Sequence, residues 1–279
     1  MASRALCVGI NQFEHLPTAN WLNGCVNDAN DVSALLTSQY GFADGYITIL
    51  TDAQATKASV MAALSELKER ATRGEIDRLV FSLSSHGTQI PDLNGDEEVD
   101  QADEAFAMYD IQQAGDAWDV GSVIVDDELH ALFTGLPKGL LVEVVLDTCH
   151  SGSGLRALDF LPGRRPRFIP PPTSDGLDSV ETADPVGLRD LIKGSPSGRA
   201  PVLFAACRPD QTASDAHFAG RYNGAFTYYL VQALKADPAQ SRSRLLSEVS
   251  KGLRSGKFAQ RAQLEAPAGA KMHAFGQAW

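Results

Sequence analysis

No stretch of this chain approaches the roughly 20 consecutive apolar residues that a membrane span needs; the longest runs, Leu140 to Leu146 and Pro201 to Cys207, are strand-sized. The amino terminus, MASRALCVGINQ, enters a β-rich apolar run at once and lacks the hydrophobic segment and small-residue cleavage site of a secretory signal. These absences set the expectation of a cytoplasmic chain with no membrane partner. Cysteine is scarce: Cys7, Cys25, Cys149 and Cys207 stand far apart without a CxxC pair, which spells neither a zinc knuckle nor a redox motif. Clustered basic residues are also missing, and 24 Lys and Arg against 35 Asp and Glu give a net charge of −11, which argues against a nucleic-acid partner. No GxGxxG follows the first strand-like run, where VGINQF stands, and there is no P-loop. A Rossmann-like nucleotide-binding reading would therefore rest on alternation of elements alone.

What is present is an alternation of apolar β-like runs (Ala5 to Ile10, Tyr46 to Leu50, Arg78 to Leu83, Leu140 to Leu146, Val202 to Ala206) with helical patterns. The spacing of Ala29, Val32, Leu35 and Leu36 predicts a helix capped by Asn27 or Asp28, and Val60, Leu64 and Leu67 predict one over about Lys57 to Thr72. Further helices are expected after Asp126 or Asp127, from about Asn223 to Lys235, and near Leu245 to Leu253. MHAFG near the carboxyl terminus is strand-like, a candidate to complete the sheet. Such alternation predicts a mostly parallel sheet of about six strands with helices on both faces, and residues 1–279 as a single domain. Between Leu155 and Ala200 the pattern fails in a Pro-, Gly- and charge-rich stretch, read as a long flexible loop.

Two strand ends carry the chemistry. LVFSLSSHG ends at Ser84, Ser85, His86 and Gly87, and LLVEVVLDTCHSGSG at Asp147, Thr148, Cys149 and His150. Sites are built at the carboxyl edge of a parallel sheet, and neighbouring strands would bring His86 and Cys149 face to face there. A cysteine nucleophile needs a base, and imidazole takes the thiol proton and returns it to the leaving amine. His150 is the rival base, but an adjacent residue along a strand points to the opposite face. The backbone N–H groups of Gly87 and Cys149 are placed to hold an oxyanion. No cofactor is required for this chemistry. A catalytically silent scaffold that binds protein partners, and a cysteine hydrolase of small amides or esters, are the rival functions.

The chain resembles the metacaspases and their bacterial relatives in the caspase-like peptidase clan. The matching stretches are LNGCVNDA (Leu22 to Ala29), SSHG (Ser84 to Gly87), the acidic run ending Asp103-Glu104-Ala105, IVDDE (Ile124 to Glu128), DTCHSG (Asp147 to Gly152), AACRPDQTA (Ala205 to Ala213) and GAFT (Gly224 to Thr227). The resemblance implies a caspase-like α/β/α sandwich and a cysteine endopeptidase cutting protein or peptide substrates after Arg or Lys. Asp28, Ser84 and Asp147 would line the pocket for that side chain, since paired carboxylates bind a guanidinium through charge-assisted hydrogen bonds. Local structure gives Asp28 a second role as a helix cap and Asp147 one as a turn carboxylate. Calcium activation is implied for members of this type, through Asp103, Asp126 and Asp127. Against it, Arg156 stands where many members carry an acidic residue. DLNGDEEVDQADE, from Asp92, resembles an EF-hand loop until Glu97 takes the glycine position; the plain alternative is a solvated acidic loop. If the pocket prefers basic residues, Arg156, Arg164, Arg165 and Arg167 are candidate processing sites of a zymogen, cut in cis or by an upstream peptidase.

Overall fold

The computed structural model describes residues 2–91, 102–137, 139–149, 163–172 and 201–279. In chain order its strands are β1 Ser3–Gly9, β2 Ile47–Thr51, β3 Arg78–Ser84, β4 Gly87–Pro91, β5 Ala102–Ala107, β6 Gln113–Ala114, β7 Ala117–Trp118, β8 Val123–Val125, β9 Leu141–Asp147, β10 Arg164–Pro166, β11 Val202–Ala205, β12 Ser214–Phe218, β13 Arg221–Gly224 and β14 Gln263–Glu265. The helices are α1 Cys25–Tyr40, α2 Lys57–Thr72, α3 Asp126–Thr134, α4 Ala225–Ala236 and α5 Arg242–Ser255.

Six strands form the central sheet in the order β14-β11-β9-β3-β1-β2, parallel except for β14. Alternate side chains feed opposite faces. Leu6, Val8, Phe81 and Val144 pack with Val60 and Leu64 of α2 and Leu129 of α3. Ala5, Cys7, Val80 and Phe204 pack with Leu35 of α1, Leu230 of α4 and Val249 of α5. The result is the mostly parallel α/β/α sandwich that the resemblance implies. A buried ion pair between Arg242 and Glu143 ties α5 to the middle of the sheet. Among the described residues no helix is long and apolar enough to cross a membrane.

Four expectations need correction. Helix α1 begins at Cys25 with Gly24 at its cap, not at Asn27 or Asp28. The start of the helix and the residues leading into it are held from elsewhere: Cys25 N–H donates to Asn11 Oδ1 at 2.8 Å, and the Asn23 and Gly24 N–H groups to Asp215, both at 2.9 Å. Helix α3 includes Asp126 rather than following it; Glu128 reaches back to accept from the Val125 N–H at 2.9 Å. The sheet is completed by Gln263–Glu265, not by MHAFG, whose Phe275 instead packs on Phe204 and Tyr40. Finally, part of the stretch read as a flexible loop is a strand, because β10 finds an antiparallel partner in β12. Three residues ending in proline show no period, and proline is tolerated there because β10 lies at an edge of its small sheet.

Candidate active site

Strands β3 and β9 are neighbours, with Ser84 opposite Asp147 at their carboxyl ends. Two residues further on, this register brings His86 and Cys149 to the same edge. The approach is close: a Cβ added to Gly87 would overlap the Cys149 carbonyl and lie 3.3 Å from the Cys149 nitrogen. His86 Nε2 lies 2.7 Å from the Asn20 carbonyl. A carbonyl only accepts, so Nε2 carries the proton and Nδ1 the lone pair. Among the described residues Nδ1 has no hydrogen-bond partner. Burial pushes His86 down to about 4, while the hydrogen bond to the Asn20 carbonyl pulls the other way. Burial also raises Cys149 well above the usual thiol range, with the Ala213 backbone opposing. As folded, His86 is a neutral imidazole and Cys149 a thiol. His150 lies outside the described residues.

Asp28 and Asp147 meet in a buried cluster, and a third carboxylate joins them: Asp215, absent from the residues picked out by sequence. Its partners, Asn23, Gly24 and Arg167, are distant in sequence, so no local pattern marks it. Thr227 holds Asp147 Oδ2 through its N–H at 3.0 Å and its hydroxyl at 2.7 Å. Asn223 Nδ2 and the Gly224 N–H donate to Asp28 at 2.9 and 3.0 Å. Ser84 is buried nearby on β3, and its Oγ has no hydrogen-bond partner among the described residues.

The cluster is filled by the chain itself. Arg167 is wholly buried; its Nη2 lies 2.7 Å from Asp28 and 3.1 Å from Asp215, and its Nη1 3.2 Å from Asp147 Oδ1 and 3.0 Å from the Asp147 carbonyl. Burial pushes Asp28 up to about 7 despite the guanidinium beside it. The backbone around Arg167 is gripped as well. Its N–H donates to the Ala213 carbonyl at 2.9 Å and its carbonyl accepts from the Gly87 N–H at 2.9 Å. Beyond it, Ile169 N–H donates to the Gly87 carbonyl at 3.0 Å. Arg164 and Arg165 precede it on β10. Arg156 lies outside the described residues.

Of the residues singled out for calcium, Asp103, Asp126 and Asp127 do come near one another. Burial first, then Glu104, Asp127 and Asp103, push Asp126 up to about 8. A calcium site needs six to eight converging oxygens, and among the described residues no group of three or more metal-ligating side chains converges. Among the described residues these three carboxylates alone do not make up such a shell, and no step below runs through the ion. The stretch from Asp92 to Gln101 lies outside the described residues.

Comparison with known proteins yields a consistent set of relatives. The family model "Metacaspase, peptidase C14 domain" matches residues 3–158. Metacaspase-1 of Ajellomyces capsulatus is 33% identical, covering 94% of this chain and 78% of that protein. Metacaspase-1A of Aspergillus niger is 30% identical, covering 94% and 69%. Among solved structures, protein GSU0716 of Geobacter sulfurreducens shares the fold, with a TM-score of 0.66, 24% identity and coverage of 98% of this chain and 97% of that one.

Proposed function

Because the chain belongs to the metacaspase family and is a cysteine-type endopeptidase, we propose that Cys149 is its nucleophile and His86 its base. It cuts proteins and peptides after Arg or Lys, and is made as a zymogen activated by cleavage within residues 155–200. The chain works as one peptidase domain. Arg167 supports this reading: its side chain sits between Asp28, Asp147 and Asp215 while its carbonyl rests on the Gly87 N–H. A substrate arginine before a scissile bond would need those same contacts.

In this mechanism His86 Nδ1 takes the Cys149 proton as sulfur attacks the carbonyl carbon, and the Gly87 and Cys149 N–H groups hold the oxygen as it becomes anionic. The imidazolium then protonates the leaving amine as the C–N bond breaks. Water, deprotonated by the same imidazole, hydrolyses the thioester and restores the thiol. The intact chain is silent because its own strand fills the cleft. With Arg167 buried, the bond to Phe168 is reached from within, in cis, whereas the exposed Arg165 is open to an upstream peptidase.

The test is cleavage of fluorogenic peptides ending in Arg, Lys or Asp by the wild type and by Cys149→Ala, with mass spectrometry of each chain. Cleavage after Arg and Lys but not Asp, lost in the variant, and a cut after Arg167 in the active wild type are expected. Full activity of Cys149→Ala would refute the dyad. A fully active preparation with no cut between residues 155 and 200 would refute the zymogen.

A further inference from the structure

Successive residues of β10 point to opposite sides. Arg165 and Arg167 turn toward the segment leading into α1, where Arg165 Nη1 donates to the carbonyls of Ala19 and Trp21 at 3.2 and 2.8 Å. Arg164 turns the other way, onto the carboxyl end of α5. That end is closed by a Schellman motif: Phe258 N–H donates to the Leu253 carbonyl at 2.9 Å and Lys257 N–H to the Arg254 carbonyl at 3.0 Å, with Lys257 left-handed at φ 58°. The closure leaves the Gly256 and Lys257 carbonyls to take donors from outside the helix. Both take them from Arg164, Nη2 to Gly256 and Nη1 to Lys257, each at 2.7 Å.

The same guanidinium lies 4.0 Å over the centroid of the Phe258 ring. Phe218 and Tyr229 hold that ring, with centroids 5.8 and 6.3 Å away. Gly256 is required at the turn, since a Cβ there would meet the Phe258 ring at 2.7 Å and the Tyr229 hydroxyl at 2.5 Å. One arginine is thus gripped by two carbonyls at the negative end of a helix and by an aromatic face.

We propose that this site is a substrate subsite, selecting arginine at the fourth position counted back from the cut. It rests on the reading that Arg167 occupies the first-position pocket, which makes Arg164 the fourth. When the chain's own strand leaves, the carbonyl pair and the ring stay on α5 and its cap, open to the arginine of a protein substrate. A planar fork spans both carbonyls while lying flat on the ring. A lysine ammonium meets one carbonyl at a time, so the order is Arg, then Lys, then Ala.

The experiment takes its peptides from the chain's own strand: Arg-Arg-Pro-Arg, Lys-Arg-Pro-Arg and Ala-Arg-Pro-Arg fluorogenic amides, assayed on processed wild type and on Phe258→Leu, which keeps apolar bulk and loses the ring face. Roughly tenfold higher kcat/KM for the fourth-position Arg over Ala is expected in the wild type, from a ring contact plus charge-assisted hydrogen bonds. In Phe258→Leu the ratio should fall toward one. Cleavage of all three peptides at equal kcat/KM by the wild type would overturn the subsite and leave the proposed peptidase reading intact. Cleavage of none would count against that reading instead. The subsite is still tested by hydrogen exchange in Cys149→Ala, with and without Arg164→Ala. Loss of Arg164 should speed exchange of the Arg167 amide about tenfold, as the strand loses its anchor. Unchanged exchange would overturn the subsite whatever the activity.

Discussion

Gly87 holds both sides of the Arg167–Phe168 bond: its N–H donates to the Arg167 carbonyl at 2.9 Å and its own carbonyl accepts from the Ile169 N–H at 3.0 Å. In the mechanism proposed above, the Gly87 N–H that would meet the developing oxyanion is taken by the chain's own Arg167 carbonyl. On that proposal, release of the strand and assembly of a working cleft would be a single event at this residue.

Gly87 admits no side chain, because the atoms a Cβ would meet belong to the Cys149 backbone, not to a flexible side chain. Gly87→Ala must separate the two strand ends. A fall in kcat/KM of about 100-fold or more is expected, the usual cost of losing one oxyanion donor. Peptide hydrolysis measured beside urea unfolding separates this from loss of fold. A folded Gly87→Ala with wild-type kcat/KM would remove Gly87 from the oxyanion site.

The resting dyad should be chemically quiet. Burial holds Cys149 far above the thiol range and His86 down to about 4. In intact Cys149→Ala, NMR of the His86 ring, assigned against His86→Gln, should titrate near 4 and not near the ordinary 6.5. Intact wild type should resist iodoacetamide at Cys149 at pH 7, and cleaved chain should react. Rapid alkylation of the intact chain would show an open thiol.

Arg167 is the sole basic group bonded to Asp28, Asp147 and Asp215 among the described contacts, and all four side chains are buried. Removing one partner of a buried ion pair strands the rest, typically at about 3–5 kcal/mol. Arg167→Gln in the Cys149→Ala background should lose about that much in urea unfolding. The loss should be greater at pH 8 than at pH 6, because the stranded carboxylates, Asp28 foremost at about 7 even with Arg167 present, take up protons as pH falls. A loss independent of pH would show that the carboxylates are not the groups left unpaired.

The pieces of this site legible in the sequence were those fixed by local pattern. His86 and Cys149 follow apolar strands whose hydrophobicity marks them as buried, so their placement at one edge follows from strand adjacency alone. Helix α2 is legible from the spacing of Val60, Leu64 and Leu67, and the structure adds that Thr56 caps it from the adjacent position, accepting from the Ser59 N–H. The start of α1 was not readable, because its acceptors come from Asn11 and Asp215. Strand β10 was hidden for the same reason: it is held by β12 and by the ends of α1 and α5, not by any period of its own. Arg167 was visible as a basic residue in a loop. Only tertiary structure places its side chain among three carboxylates.

Asp126 offers a test of opposing effects at one carboxyl. It stands in the first turn of α3, where the helix dipole favours an anion. Burial and the neighbouring Glu104, Asp127 and Asp103 outweigh that and push it up to about 8. An unfolded aspartate titrates near 3.9. Between these values the folded chain keeps a proton that the unfolded chain has lost. The protonated carboxyl therefore favours the fold fully at low pH, and that advantage is lost as pH rises through about 8, at roughly 1.4 kcal/mol for each unit crossed. Asp126→Asn keeps the shape and removes the titration, so it should match the parent near pH 4 and exceed it in urea midpoint at pH 8. Both chains should carry Cys149→Ala to prevent self-cutting, and comparing them cancels the contributions of His86 and Asp28. If Asp126→Asn were instead the less stable chain at pH 8, the carboxyl would be ionised and partnered in the fold, and the acidic cluster would have to contain a compensating cation.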